Sequence, residues 1–476
     1  MIGTKVFDKR GDEMFILFGP DEKLKVGDCL DVGGIAVQVI DIQYANLPGI
    51  LEHLLRRSLL EKMKTQEDAQ PEIAGVLDAL TDYKLAVAKI RGTLRNGVFS
   101  RGLFEFCVDR SRTAIRVLSP PEMLSMLGMD GAGEFGIIAN DGGGRSLFGL
   151  NHGKLGINLI TGMKGSGKSY SAKKLLLRLI DAGKVAVVFD INGEYAGLGS
   201  DDSGNPNRYA GRIIVLDPKA DHRRENEIPL RIPLSEITYE DFADFMNIDT
   251  NTQMYNELIV YWSTSGRIDL SDFENWVNTR VANDLVRTGL LGKIRTARAL
   301  RLFGDFDLKG IIRQLEEGGG ALIVKLKGAT RRERTIIVSF MLRRIAALRR
   351  SGEIRPLCLF AEEAQLYATH EMWDDVLTRM RHYGIYPTFI TNDPRTLPDE
   401  IFSLCDNLIV FRLQNAEDLK QVSRVKMVDF ETVQLLRNLE DRCCMIIGNL
   451  TNDFPLLVRV LPENGVKMGG ETERLV

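Results

Sequence analysis

Metal-type spacing is missing from this sequence. Its 476 residues include six cysteines and five histidines. The cysteines (Cys29, Cys107, Cys358, Cys405, Cys443 and Cys444) show no ligand intervals, and the histidines are scattered, which excludes a zinc module or a redox dithiol. The Cys443-Cys444 pair lies in an apolar run and reads as buried strand. No apolar stretch reaches the length of a membrane span and no charged-then-apolar leader opens the chain, so the expected compartment is the cytosol, with no membrane partner. Repeats and low-complexity tracts are lacking as well. Nor is there a charge excess: 62 Lys and Arg stand against 65 Asp and Glu, a net charge of −3. The chain as a whole is therefore not a basic nucleic-acid coat, although a ring-shaped motor can keep its basic groups on an inner channel. What is present is ordinary globular composition, 44% hydrophobic and 27% charged, over a length that suggests about two to four folding units.

The most informative segment is Gly162-Met163-Lys164-Gly165-Ser166-Gly167-Lys168-Ser169, which matches the phosphate-binding pattern G-x-x-x-x-G-K-[ST]. The apolar run Leu155 to Ile160 precedes it as a strand. Tyr170 to Ile180 follows as a helix, with Leu175, Leu176, Leu179 and Ile180 at helical spacing. Strand, glycine loop and helix N-terminus together form a cradle of N–H groups for phosphate. The expected nucleotide contacts are Gly165, Ser166, Gly167, Lys168, Ser169 and Tyr170. Lys168 reaches the β- and γ-phosphates, and the Ser169 hydroxyl ligates Mg²⁺. ATP and Mg²⁺ are thus the expected cofactors.

Short alternating segments with turn signals fill the chain before about Arg116: Thr4 to Phe7, Glu13 to Leu17, Cys29 to Val32 and Ile35 to Ile42. They predict a small β-barrel over residues 1–116, interrupted by helical patterning at about 48–95. From Leu155 onward, continuous apolar runs alternate with helices: Val185 to Phe189, Ile213 to Leu216, Leu322 to Val324, Leu357 to Phe360, Thr388 to Ile390, Leu408 to Phe411 and Cys444 to Ile447. Such runs are strands of a parallel sheet covered on both faces. The fold class is therefore α/β, a RecA-like nucleotide-binding core at 117–450 preceded by the barrel. A helical insertion is expected at about 228–318, its helices opened by Thr238-x-x-Asp241 and Ser271-x-x-Glu274. Residues 451–476 are read as an extended tail.

Three further segments bear on the phosphate site. Leu357 to Phe360 leads through Ala361 into Glu362 and Glu363. Two carboxylates at the end of an apolar strand can hold the Mg²⁺ shell (Glu362) and orient or deprotonate the attacking water (Glu363); alternatively they are solvated acids favoured by a helix dipole. Asp190 and Glu194, in Asp190-Ile191-Asn192-Gly193-Glu194-Tyr195, suit either the water and metal shell or a turn. Finally, Asn392 closes the strand Pro387 to Thr391, where it can contact the γ-phosphate. Arg381 and Arg412 are candidate arginine fingers for a neighbouring subunit's site, or surface ion-pairing residues.

Taken together, the phosphate loop, Asp190-x-x-Gly193-Glu194-Tyr195, Glu362-Glu363-Ala364 and Arg381-x-Tyr383-Gly384 resemble HerA, the hexameric DNA translocase of the HerA/FtsK group. The ending Gly469-Gly470-Glu471-Thr472 resembles that family's tail. The resemblance implies Lys168 and Ser169 as Walker A residues, Glu362 and Glu363 as the Walker B pair, Asn392 as sensor and Arg381 as the finger in trans. Where that family usually has a Gln sensor this chain has the shorter Asn392, and Gln365 stands where a His is common. A homo-hexamer acting on double-stranded DNA is implied, with a NurA-like nuclease or an antiphage effector docked on the N-terminal barrel.

A motor also needs groups that grip DNA. Lys325, Lys327, Arg331, Arg332 and Arg334 form a basic loop between a strand and a helix, suited to backbone phosphates and equally to a solvated helix face. No basic sheet studded with aromatics favours single strands. Two other readings share the core. One is an ATP-gated scaffold that regulates an effector without processive movement; the other is a conjugation or secretion motor, a class that commonly carries membrane spans.

Overall fold

The computed structural model describes residues 4–19, 21–44, 83–102, 107–110, 112–129, 134–141, 146–222, 226–367, 380–424 and 429–469. They divide into two compact units, one of residues 1–151, 427–439 and 443–461, the other of 152–426, 440–442 and 462–476.

The first unit opens with antiparallel strands β1 (Lys5–Arg10), β2 (Glu13–Phe18), β3 (Cys29–Val32), β4 (Ile35–Tyr44), β5 (Lys84–Arg95), β6 (Val98–Ser100) and β7 (Ile115–Val117). Their order is β1-β2-β5-β4-β3-β7, with β6 on β5. Alternation places Met14, Ile16 and Phe18 of β2 inward with Leu30, Val32, Val37, Val39, Ala86 and Ala88, the apolar core of a small barrel. The β4–β5 pairing shifts register twice, with Arg91 of β5 and Ile40 of β4 as the extra residues, which sharpens the bend. Helical patterning was expected to reach Arg95, yet Lys84–Arg95 is the long strand β5; its Leu-Ala-Val-Ala start fits a strand once β2 and β4 flank it. The rest of that expected helical segment, residues 48–82, lies outside the described residues. Helix α1 (Pro120–Met126), β8 (Gly136–Ile138) and β9 (Leu147–Phe148) complete this part. Residues 117–151, expected with the nucleotide-binding core, belong to the barrel's unit.

The second unit is built on β10 (Asn158–Thr161), β11 (Val185–Asp190), β12 (Ile213–Asp217), β13 (Glu227–Pro229), β14 (Gly320–Lys325), β15 (Leu357–Glu362), β16 (Ile385–Thr391) and β17 (Asn407–Phe411). They run in the order β13-β12-β14-β11-β15-β16-β10-β17, and the recorded pairings are parallel. Every residue of β10, β11, β12, β15 and β17 is buried, as continuous apolar runs require. Helix α2 (Lys168–Asp181) leaves the phosphate loop and buries Leu175, Leu176, Leu177, Leu179 and Ile180. Between β13 and β14 lie helices α3 (Tyr239–Met246), α4 (Gln253–Ser265), α5 (Leu270–Arg280), α6 (Asp284–Leu300) and α7 (Leu308–Glu316). Thr238 and Asp241 form a reciprocal cap at α3. The cap of α5 is Asp269, which accepts from Ser271 N and Asp272 N, so Ser271 is already inside the helix. Phe242, Tyr261 and Phe273 pack as the core of these helices. Next come α8 (Arg331–Arg350), α9 (Asp399–Leu404) and α10 (Ala416–Ser423). Ile337, Met341, Ile345 and Leu348 of α8 are buried.

Strands β18 (Cys443–Gly448) and β19 (Leu456–Val460) return to the first unit. They pair antiparallel with each other, and β19 pairs antiparallel with β8. Two expectations are corrected here: β18 pairs antiparallel with β19 rather than standing as a parallel core strand, and the region after Leu450 begins as a strand rather than an extended tail. Only beyond Leu461 does the chain run without regular structure, along the second unit. The resemblance at the ending falls partly outside the described residues, which stop at Gly469.

Candidate nucleotide-binding site

The site is assembled at the ends of β10, β11, β15, β16 and β17, the C-terminal edge of a parallel sheet, where ligands of such sheets bind. Residues 162–167 turn sharply between β10 and α2. Gly162 (φ +147°) has no room for a side chain, since a Cβ there would lie 2.6 Å from that of Phe411. Gly167 (φ +114°) is the N-cap of α2, so the backbone reverses directly into the helix N-terminus. Ser166 Oγ donates to Met163 O at 2.7 Å, and Lys168 Nζ donates to the same carbonyl at 2.9 Å. Lys168 is 7% exposed. Burial pushes its ammonium down to about 8 despite the attraction of Glu363, Glu362 and Glu194.

Glu362 is the last residue of β15 and is 2% exposed. Ser169 Oγ lies 3.5 Å from Glu362 Oε1, while Oε2 is buried with no hydrogen-bond partner among the described residues. Burial raises its carboxyl to about 8, reinforced by Asp190 and Glu194. An orphaned buried carboxylate oxygen beside a serine hydroxyl is a site prepared for a hard cation, and ionised by one. The residues present fit Mg²⁺.

The next residue, Glu363, sits in the left-handed region (φ +46°, ψ +49°), uncommon for a non-glycine residue. Its N–H donates to Ile390 O at 2.7 Å. Oε2 accepts from Gln365 Nε2 at 2.6 Å and from Thr391 Oγ1 at 3.3 Å. This backbone and these two donors aim the carboxylate. Asn392 is exposed directly after β16. Asp190 spends both oxygens on the N–H groups of Gly193, Glu194 and Tyr195, which resolves the alternative at this segment in favour of a turn. Glu194 in turn accepts from Lys173 Nζ at 2.9 Å.

The arginines separate. Arg412 follows β17: its carbonyl accepts from Met163 N at 2.8 Å, Nε lies 3.3 Å from Met163 Sδ, and its guanidinium pairs with Asp441 at 2.7 Å. Arg412 therefore lies against its own chain's phosphate loop. Arg381 lies before β16, paired at 3.3 Å with Asp406, whose carboxylate accepts from Ile157 N ahead of β10. That is the opposite edge of the sheet from the loop; β16 alone, seven residues long, spans about 23 Å.

Among the basic loop residues, Lys325 pairs with Asp217 and Glu227, Arg332 donates to Phe245 O, and Arg334 donates to Leu326 O. These three side chains are committed within the chain. Lys327 and Arg331 are exposed, and the Lys327 stem packs over Gly193, where a Cβ would lie 2.6 Å from its Cδ.

Several members of the site escaped the sequence reading. Thr391 was hidden as one more residue of a buried strand, and Gln365 was judged minor. Lys173, which the sequence did not single out, is 2% exposed and donates to Met468 O at 2.6 Å. An amide two residues after Glu363 was the available signal for Gln365; for Thr391, 28 residues from Glu363, and for Lys173, bonded 295 residues away, there was none.

Residues 158–345 match the family model described as "Helicase HerA, central domain". A comparison with curated protein sequences finds no match. Among solved structures, VirB4 of Thermoanaerobacter pseudethanolicus is similar at 13% identity, covering 70% of this chain and 97% of that one with a TM-score of 0.51. The plasmid coupling protein TrwB in complex with a non-hydrolysable ATP analogue is similar at 14% identity, covering 74% and 94% with a TM-score of 0.50. At these identities the likeness is one of fold, a RecA-like core. The family match spans the phosphate loop and the insertion, so residues 158–345 are a HerA-type central domain, and the core around it is that of a P-loop ATPase, which hydrolyses ATP with Mg²⁺.

Proposed function

We propose that this chain is the subunit of a homo-hexameric, ATP-driven translocase of double-stranded DNA, working in the cytoplasm with a nuclease or defence effector docked on the N-terminal barrel. The observation that carries the assembly is Arg381. It is 60% exposed and paired with Asp406 at the end of the sheet away from its own phosphate loop, a placement that suits a guanidinium offered to the site of another copy. Arg412, beside the loop of its own chain, neutralises phosphate charge in cis.

In the proposed reaction the loop N–H groups and Lys168 take up the charge of the β- and γ-phosphates. Ser169 and Glu362 would hold Mg²⁺, which would supply Lewis-acid stabilisation of charge on the transferring phosphoryl group. Glu363, aimed by Gln365 and Thr391, accepts a proton from the attacking water. Asn392 reports the γ-phosphate across the shorter reach of an asparagine. Movement follows where neighbouring subunits hydrolyse in turn, because each Arg381 links one subunit's state to the next. DNA is gripped at its backbone by Lys327 and Arg331, and binding is accordingly independent of sequence and weakened by salt.

The test is ATP hydrolysis with and without linear duplex DNA, with Lys168→Ala and Glu363→Gln as blanks. Stimulation by DNA that fades as salt is added is the expected result. A second reading, the ATP-gated scaffold, is favoured by the commitment of Lys325, Arg332 and Arg334 to internal bonds, which leaves fewer cations to hold DNA. Hydrolysis indifferent to DNA would select it.

A further inference from the structure

The second unit includes three residues far from its other segments in sequence, Glu440-Asp441-Arg442. They lie on the phosphate loop. Arg442 N donates to Ser166 O at 3.0 Å, and its Cα would lie 3.2 Å from a Cβ on Gly167. Asp441 pairs with Arg412. The Arg442 guanidinium stands over the Tyr170 ring, 5.0 Å from its centroid. Tyr170 is itself fixed, its hydroxyl accepting from Glu463 N at 2.6 Å. Arg442 holds φ +62°, a conformation a non-glycine residue keeps only where its surroundings impose it, as at ligand clamps.

The sheet order gives this pair a direction. β10 is flanked by β16 on one side and β17 on the other. Glu362, Glu363 and Asn392 all belong to the β15–β16 side, so the end of the triphosphate that is hydrolysed faces that way. Its opposite end, the nucleoside, then points across the start of α2 towards the β17 side. Arg412, Asp441, Arg442 and Tyr170 are the groups gathered there.

We infer that Arg442 and Tyr170 form the seat of the nucleoside: a purine base packs on the planar guanidinium that Tyr170 supports from below, while the loop holds the phosphates. A guanidinium stacks on aromatic faces on both of its sides and is weakly hydrated, so it takes a base at little desolvation cost. Arg442 is an exposed residue. Arg442 is thus a positioning and specificity residue for the nucleotide, acting at the end remote from hydrolysis. This inference rests on the ATP-binding reading of the loop, and the experiment separates the two.

Calorimetric titration would measure the affinity of the full-length chain for Mg·ATP and for Mg·tripolyphosphate, which has the phosphates and no nucleoside. Arg442→Ala is expected to weaken ATP about five- to ten-fold and to leave tripolyphosphate unchanged within about two-fold. Arg442→Lys, which keeps the charge and loses the plane, is expected to behave like the alanine variant. Equal losses for both ligands, unchanged ATP affinity, or full rescue by lysine would overturn the seat. Lys168→Ala weakens both ligands if the loop holds phosphate. If it weakens neither, the loop reading fails instead, whatever Arg442 does.

Discussion

Glu362→Gln should stabilise the nucleotide-free protein, and the gain should grow with pH. In the folded chain the Glu362 carboxyl sits at about 8, against 4.5 when unperturbed, chiefly because it is buried. A carboxyl raised on folding binds its proton more tightly in the native state. Its contribution is therefore undiminished below about pH 4.5 and is lost as pH rises through about 8, where the native state is forced to ionise a buried group. At about 1.4 kcal/mol per pH unit, the loss is about 1 kcal/mol at pH 5, about 3 at pH 7 and about 5 by pH 9. Glutamine fills nearly the same volume and cannot ionise, so the variant keeps what the parent loses. Trp262 and Trp276 lie in helices α4 and α5 of the second unit, so urea denaturation followed by tryptophan fluorescence reports that unit. The difference in unfolding free energy between variant and parent should rise from about 1 kcal/mol at pH 5 to several at pH 9. A difference that stays flat, or shrinks as pH rises, would refute the claim that an orphaned acid waits at this site. Saturating Mg²⁺ and nucleotide should abolish the trend in the parent, since the ion holds the carboxylate ionised.

Other expectations concern the water-activating acid, the subunit interface and the barrel. Thr391→Val and Gln365→Ala each remove one donor from Glu363 and should lower kcat about ten-fold with KM little changed; losses confined to KM would show that these residues do not aim the carboxylate. Mixtures of inactive Lys168→Ala and Arg381→Ala proteins should regain partial ATPase activity. Lack of recovery despite demonstrated subunit exchange would remove Arg381 from the trans role. In the first unit the Arg91 side chain, 9% exposed, donates to Asp429 at 2.9 Å and to Thr432 Oγ1 at 2.7 Å. Arg91→Met strands Asp429 and should cost about 3 kcal/mol, read as earlier proteolysis of the barrel unit in urea; the double variant Arg91→Met/Asp429→Leu should recover much of it.

The nucleotide core was legible because its strands announce themselves as continuous apolar runs and its loop is a pattern with few substitutes. Glu362 and Glu363 were readable for the same reason: two acids closing an apolar strand are rarely placed there by packing. What stayed hidden depends on partners distant in the chain. The alanines at the start of β5 favour helix locally, and only the strands on either side of them settle the matter. Arg412 and Arg381 look alike as arginines near strand ends, and the sheet alone tells which edge each occupies. Arg442 carried no pattern at all, since its positive φ and its place over Tyr170 are products of the folded backbone.

The C-terminal run 462–469 has a consequence for the order in which the protein becomes competent. Lys174 of the phosphate-loop helix donates to Pro462 O, 288 residues on. It and Arg178 pair with Glu463, and Lys173 donates to Met468 O. Lys173 and Lys174 are nearly inaccessible to solvent; Lys173 meets Glu194 early in the chain, whereas Glu463, which pairs with Lys174, is made far later. At about 5 to 20 residues per second, the helix after the phosphate loop waits about 15 to 60 s for that carboxylate. A growing chain thus carries the phosphate pattern well before the segment that pairs with its helix.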